Sequence, residues 1–134
     1  MLDIGLFIIR LVIGVLFIGH GAQKLFGSFG GHGLKGTAGW LESMNMKPAL
    51  PLALMAGLSE FVGGILFVLG LFTPLAGLLI AATMVVAIAK VHGANGLWST
   101  ANGYEYNLTI LVVAIGIALA GPGQLYFRVK RRLL

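Results

Sequence analysis

His20, Gln23 and Lys24 follow i, i+3, i+4 spacing, so one helix face carries an imidazole, an amide and an ammonium group together. Lys90 and His92 repeat the lysine–histidine pairing further along, and Asn95, Trp98, Asn102, Tyr104, Glu105 and Asn107 follow them. Histidines with a carboxylate can hold a metal, but this spacing matches no recognised ligand motif and we assign no metal site. Histidine and lysine can also hydrogen-bond a quinone carbonyl and stabilise the charge that develops there on reduction. Trp98, Tyr104 and Phe26 offer faces on which such a ring could pack. In the plainer reading Lys24 or Lys90 pairs with Glu105, the histidines satisfy helix ends, and the aromatic residues anchor a membrane interface.

Two further charges stand where a charge is hardest to keep. Arg10 lies inside an apolar run from Ile4 to Ile18, and Glu60 is the sole ionisable residue between Leu50 and Phe72. A charge at bilayer depth costs at least ~2.5–3.5 kcal/mol, so it usually has a partner or a purpose. Counted from the starts of their spans, Arg10 lies roughly 12 Å deep and Glu60 roughly 15 Å from the opposite face. In an apolar layer about 30 Å thick these depths agree, so the two are expected to meet. Their pair would lock the first two spans together, or serve a proton relay or a ligand ring.

The elements that position these groups follow from composition. The chain has 134 residues, 58% hydrophobic and 10% charged, with a net charge of +5 and no cysteine. That apolar content exceeds what one soluble core of this size can hide, so most of it must face lipid. The missing cysteines exclude disulfides, thiolate metal sites and dithiol redox chemistry by this chain. No basic stripe with interleaved aromatics exists, which argues against nucleic acid.

The pattern predicts an all-α, integral membrane four-helix bundle forming one domain over 1–134, with spans at about 2–26, 50–72, 75–91 and 105–120. Asp3 and the absence of a basic leader read the first span as a retained helix rather than a signal peptide. An even number of spans puts both termini on one side. Arg128, Lys130, Arg131 and Arg132 argue that this side is cytoplasmic, although Lys24, Lys35, Lys47 and Lys90 lie opposite. Between the first two spans, Thr37–Met46 reads as a short amphipathic helix with Trp40 at the interface, either a lid over the bundle or a plain interfacial segment. His32 reads as a solvated loop residue. Small residues four apart (Ala53 and Gly57, Ser59 and Gly63, Gly77 and Ala81, Ala114 and Ala118) let helices approach closely in lipid.

As an ordered set, Gly19-His20-Gly21-Ala22-Gln23-Lys24-Leu25-Phe26-Gly27, Glu60-Phe61-Val62-Gly63-Gly64, Lys90-Val91-His92-Gly93-Ala94-Asn95-Gly96, Gly103-Tyr104-Glu105-Tyr106-Asn107-Leu108 and Gly121-Pro122-Gly123 resemble the DoxX family of small bacterial membrane proteins. The resemblance covers nearly the whole chain. It implies a four-helix bundle in the bacterial cell membrane and a link to quinone or catechol chemistry, as in members described as membrane oxidoreductases tied to catechol and quinone stress.

Three functions remain in view. One is a quinone-linked oxidoreductase or its membrane subunit. The second is a non-catalytic lipid- or quinone-binding scaffold. The third is a small transporter, which would gain from a homo-oligomer. For the first, His20, Lys24, His92 and Glu105 form the candidate catalytic set. Arg10, Glu60, Gln23, Lys90, Trp98, Tyr104 and Asn107 are candidate contacts to a bound ring. A quinone is the cofactor considered. No haem-attachment motif accompanies the histidines. Electrons would come from a bound quinol, an unseen cofactor or a soluble redox partner.

Overall fold

The first element is one unbroken helix, α1 (Leu2–Phe26), ended by Gly27 in the left-handed conformation at φ 74°. The computed structural model describes residues 1–126. The basic tail on which the orientation argument rests lies outside the described residues. α2 (Gly33–Ser43) follows, then α3 (Ala49–Leu69), α4 (Thr73–Ala87) and α5 (Glu105–Ala120). α1, α3 and the α4 segment continued to Asn95 are each long and apolar enough to cross a membrane. α5 is shorter, at 16 residues. The described fold is therefore all-α, with four apolar helices and one amphipathic helix.

Local chemistry moves several expected boundaries. The second span ends at Leu69 rather than Phe72, because Gly70 takes φ 73° and its N–H donates the closing backbone hydrogen bonds to the Leu66 and Phe67 carbonyls. Pro74 then sits in the first turn of α4, where its missing N–H costs nothing. α4 winds as an α-helix only to Ala87, and Ile88–His92 continues as a π-helix. The amphipathic helix begins at Gly33, four residues before the expected start. It buries Thr37 and Leu41 and leaves Trp40 exposed.

α1 packs on α3, α3 on α4 and α4 on α5, while α2 lies across α1 and α3. Phe17, Phe67, Ala76, Ile80, Met84, Ile110 and Ala114 form the buried core. Ile8, Val12, Val15, Leu78, Val85 and Val112 stay exposed on the outside, as lipid-facing side chains should.

The tightest crossing joins α1 to α3. A Cβ on Gly14 would fall 2.7 Å from the Gly64 oxygen, and a Cβ on Gly64 would fall 2.6 Å from the Gly14 oxygen. Higher up, a Cβ on Gly21 would lie 2.5 Å from the Phe61 nitrogen. Gly77 plays the same part between α4 and α5, where a Cβ would meet the Ala114 oxygen at 2.6 Å. The small-residue spacing thus marks the α4–α5 crossing, whereas Gly14, Gly21 and Gly64 of the α1–α3 crossing are not among the expected pairs.

This register corrects the expected Arg10–Glu60 contact. Each residue lies four positions before its helix's contact glycine. Because the helices are antiparallel, the two fall on opposite sides of the crossing, at least ~12 Å apart along it. Arg10 is fully buried instead near the end of the bundle that holds the N-terminus, called here the base. Its guanidinium donates to the Phe67 carbonyl at 3.1 Å and to the Leu125 carbonyl, and it sits 5.6 Å from the Phe7 ring centre. Carbonyls in the last turn of a helix lack intrahelical partners and carry partial negative charge, so Arg10 caps α3. At the same base Asp3 accepts the Gln124 N–H at 3.1 Å, so both ends of the described chain meet there.

Valine at Gly14 or Gly64 should therefore lower stability by about 1–3 kcal/mol or more, through overpacking. Alanine at Gly19, whose added Cβ meets nothing within 4 Å, should be neutral or slightly stabilising. Thermal unfolding in detergent, followed by circular dichroism, compares the three variants. Equal losses would contradict the crossing.

Candidate functional site

At the opposite end, the rim, α2 lies over a cavity of about 420 Å³ bounded by α1, α3, α4 and the start of α5. α1 contributes Phe17, His20 and Lys24, which share the face set by their i, i+3, i+7 spacing. α3 contributes Leu52, Met55, Ala56, Ser59 and Glu60; α2 contributes Thr37, Trp40 and Leu41. Met84 and His92 close it from the α4 segment, and Tyr106 and Asn107 from α5. Met55 and Val86 line the cavity and are also exposed. Both lie roughly 9 Å below the rim ends of their segments, so they frame a mouth on the lipid-facing flank between α3 and α4.

The dominant polar contact is the pair between Lys24 Nζ and Glu60 Oε1 at 2.5 Å. Lys24 Cβ stands beside Gly57, and the side chain runs one turn along α3 to reach Glu60. Glu60 is buried, while the Lys24 side chain keeps 30% exposure. The second carboxylate oxygen, Oε2, is buried with no hydrogen-bond partner among the described residues. Tyr106 lies close enough to feel the charge of Glu60.

Both histidines are oriented by acceptors. His20 Nδ1 is 3.3 Å from Gln23 Oε1, and the Gln23 amide nitrogen donates to the Phe29 carbonyl at 3.2 Å. The Gln23 oxygen is then the acceptor, so the His20 proton sits on Nδ1. The His20 ring also stands edge-on to Phe17 at 5.5 Å. His92 Nδ1 is 2.9 Å from the Asn102 carbonyl, which also accepts from Asn95 Nδ2 at 3.0 Å. A carbonyl only accepts, so His92 likewise carries its proton on Nδ1. In the neutral form of each ring, this tautomer puts the lone pair on Nε2.

Of the residues expected from sequence, His20, Lys24, Glu60, His92 and Asn107 come together in the cavity. Gln23 holds His20 from behind. Glu105 is not among the lining residues; it accepts the Ser99 N–H at 3.2 Å. Of the two lysines expected as partners of Glu105, Lys24 or Lys90, Lys24 pairs with Glu60 instead. Lys90 and Trp98 are exposed, Tyr104 is half-buried, and none of the three lines the cavity. Arg10 stands at the base, away from it.

The reading missed Thr37, Trp40, Ser59 and Tyr106. A signal existed for two groups of them. Thr37, Trp40 and Leu41 are spaced i, i+3, i+4, and Leu52, Met55, Ala56, Ser59 and Glu60 form one stripe that includes the buried charge. Among the described residues, no group of three or more His, Cys, Asp or Glu side chains is placed to hold a metal ion.

Comparison with known proteins adds an independent line. Residues 5–93 match the profile of the DoxX family. A Bacillus subtilis (strain 168) protein named "Putative oxidoreductase CatD" is 29% identical over 119 residues, covering 89% of this chain and 81% of that protein. An uncharacterized protein of Haemophilus influenzae is 31% identical, covering 86% and 81%. The uncharacterized membrane protein Rv3486 of Mycobacterium tuberculosis is 29% identical, covering 93% and 78%. No solved structure matches the chain.

The Lys24–Glu60 pair yields a direct test. Removing one partner of a buried pair strands the other charge and typically costs 3–5 kcal/mol. With Lys24 partly exposed, Lys24→Met should cost about 2–3 kcal/mol. The double variant Lys24→Met, Glu60→Leu should regain most of that loss. Denaturant melts in micelles of the wild type, Lys24→Met, Glu60→Leu and the double variant form the cycle. Additive losses would rule out the coupling.

Proposed function

This chain belongs to the DoxX family, and on that premise we propose that the cavity beneath α2 binds one oxygen-bearing aromatic ring of the quinol or catechol class, on which the protein acts as an oxidoreductase. The observation that carries this reading is the unpartnered Glu60 Oε2 beside a cavity lined mainly by apolar and aromatic side chains. A buried carboxylate oxygen is costly to leave unmade, and a ligand hydroxyl would satisfy it. Phe17 and Trp40 supply ring-packing surface. The flank mouth suits a ligand that partitions into lipid. The name of the Bacillus subtilis relative supports the reaction class.

Oxidation of a dihydroxy ring to the quinone releases two electrons and two protons. In this reading the protons pass to the acceptors around the ring, Glu60 and the Nε2 atoms of His20 and His92. The two electrons pass to a second quinone from the bilayer, which takes up two protons and becomes a quinol. Lys24 holds the Glu60 carboxylate in place through its contact with Oε1. The basic residues of the tail support a base on the cytoplasmic side, with the cavity toward the outer leaflet.

A short-tailed hydroquinone added to the protein in lipid nanodiscs should change tryptophan fluorescence saturably, and Trp40→Phe should remove that signal. Glu60→Gln should weaken binding at least tenfold, about 1.4 kcal/mol. Quinol-to-quinone electron exchange, followed optically, tests catalysis separately. Saturable binding without turnover would leave a binding protein. No saturable response, with no quinone co-purifying, would defeat the reading.

A further inference from the structure

The cavity is larger than a ring alone requires. About 150 Å³ is enough to hold benzene in an apolar protein cavity, whereas this one measures about 420 Å³. Its lining is also divided in space. Hydrogen-bonding groups enter mainly from α1, α2 and α5, which contribute His20, Lys24, Thr37, Trp40, Tyr106 and Asn107. Toward the flank mouth the lining is apolar, with Leu52, Met55 and Ala56 of α3 across from Ala82, Val86 and Ala87 of α4. Thr83 spends its hydroxyl on the Ile80 carbonyl at 2.7 Å, and Ser59 and Glu60 lie a turn deeper than Met55. α3 and α4 close on each other at Gly63, where an added Cβ would lie 3.1 Å from Ile80. From there to the rim the cavity lies between them. Met55, Ala82 and Val86 line the cavity and are exposed on its outer side. All three sit within segments long and apolar enough to cross a membrane, so the medium they meet there is lipid. Trp40 and Tyr106 are exposed too, at the rim end among the polar groups.

Resting on the reading that this cavity holds an aromatic ring, we infer that the ring carries one alkyl tail, which leaves between Met55, Ala82 and Val86 into the bilayer. The polar head is then held beneath α2, where the hydrogen-bonding groups stand. The tail follows the apolar flank and never leaves hydrocarbon. A tail sent the other way would cross the polar rim into water, where every methylene is unfavourable. The side chains at the mouth fit this use. Ala56 and Ala82 leave width, and Met55 is unbranched with three rotatable bonds, so it can move aside. A tail-free ring would fill only part of the space. The ligand class is thus a single-tailed, lipid-soluble amphiphile with a hydroxylated ring as its head, and the three mouth residues determine specificity for the tail.

The probes are para-dodecylphenol, the same molecule with a photoreactive diazirine at mid-tail, and para-methylphenol as the head alone. Irradiation of the photoreactive probe with wild-type protein in nanodiscs should label residues around Met55, Ala82 and Val86, mapped by peptide mass spectrometry. Excess para-dodecylphenol should displace that label. Ala82→Phe and Val86→Phe narrow the mouth from its lipid side, where a larger apolar side chain does not disturb the buried core. Calorimetric titration, corrected with empty nanodiscs, should show each variant binding para-dodecylphenol about tenfold more weakly or worse, with para-methylphenol changed less than about threefold. A label on Lys24, Trp40 or Tyr106 instead, or one that excess ligand does not displace, would overturn the exit. Equal weakening of both ligands, or of neither, would overturn it as well. Binding of para-methylphenol without para-dodecylphenol would overturn the tail and leave the ring site intact. Failure of both to bind would overturn the tail and the ring site together.

Discussion

Backbone contact between α1 and α3 at Gly14 and Gly64 governs where each charge in the apolar layer comes to rest. With no side chain at either position, the helices close until Cβ space is gone, and in lipid such close packing is a main source of helix association. Once that crossing is made the register is fixed. Arg10 falls beside the last turn of α3, and Lys24 falls beside Gly57, one turn from Glu60. A larger residue at the crossing would separate the helices and shift both meetings together. The base and the rim are thus two consequences of one contact.

The two ends treat charge differently. The chain has four acidic residues. Asp3 accepts from Gln124, Glu105 from Ser99, Glu42 is exposed on α2, and Glu60 holds Lys24. Arg10 is compensated by carbonyl dipoles rather than by one of these carboxylates. That arrangement suits a residue that holds α3 and the segment after α5 together. Glu60 is met by a full charge instead, although Arg10 Nε, like Glu60 Oε2, is buried without a partner among the described residues. One of its oxygens is engaged and the other is buried without a partner among the described residues.

Much of this was legible in the residues, and the failures share a cause. Hydropathy found all four apolar helices, because a span of sufficient length has few alternative readings. Spacing found the face of His20 and Lys24, and Glu60 was singled out by charge alone. Partner choice was not legible. Depth counted from the edges of the apolar runs misplaces Arg10 and Glu60, because the crossing glycines set the register. The rim set was also too broad. Lys90, Trp98, Tyr104 and Glu105 share a level with the cavity, but level does not determine which way a side chain faces. Tyr106 and Asn107, side by side in sequence, both reach the cavity from the first turn of α5, which periodicity alone would not assign.

A partly satisfied carboxylate is an unfavourable thing to keep in a membrane helix. An unmade buried bond costs about 1–3 kcal/mol and more when charged, and an apolar residue would also have packed. The fold bears this cost because its cohesion lies elsewhere, in the glycine crossings and the Arg10 cap. The same low dielectric that penalises the lone oxygen strengthens whatever bond a ligand makes to it. α2 keeps the upper side closed with Thr37 and Leu41, while the mouth between Met55 and Val86 faces lipid. A ring arriving from the bilayer has already left bulk water, so it gives up little solvation in meeting Glu60. A ring arriving from water would have to be stripped first. On the proposed reading, the position of the mouth therefore favours a ligand that partitions into lipid.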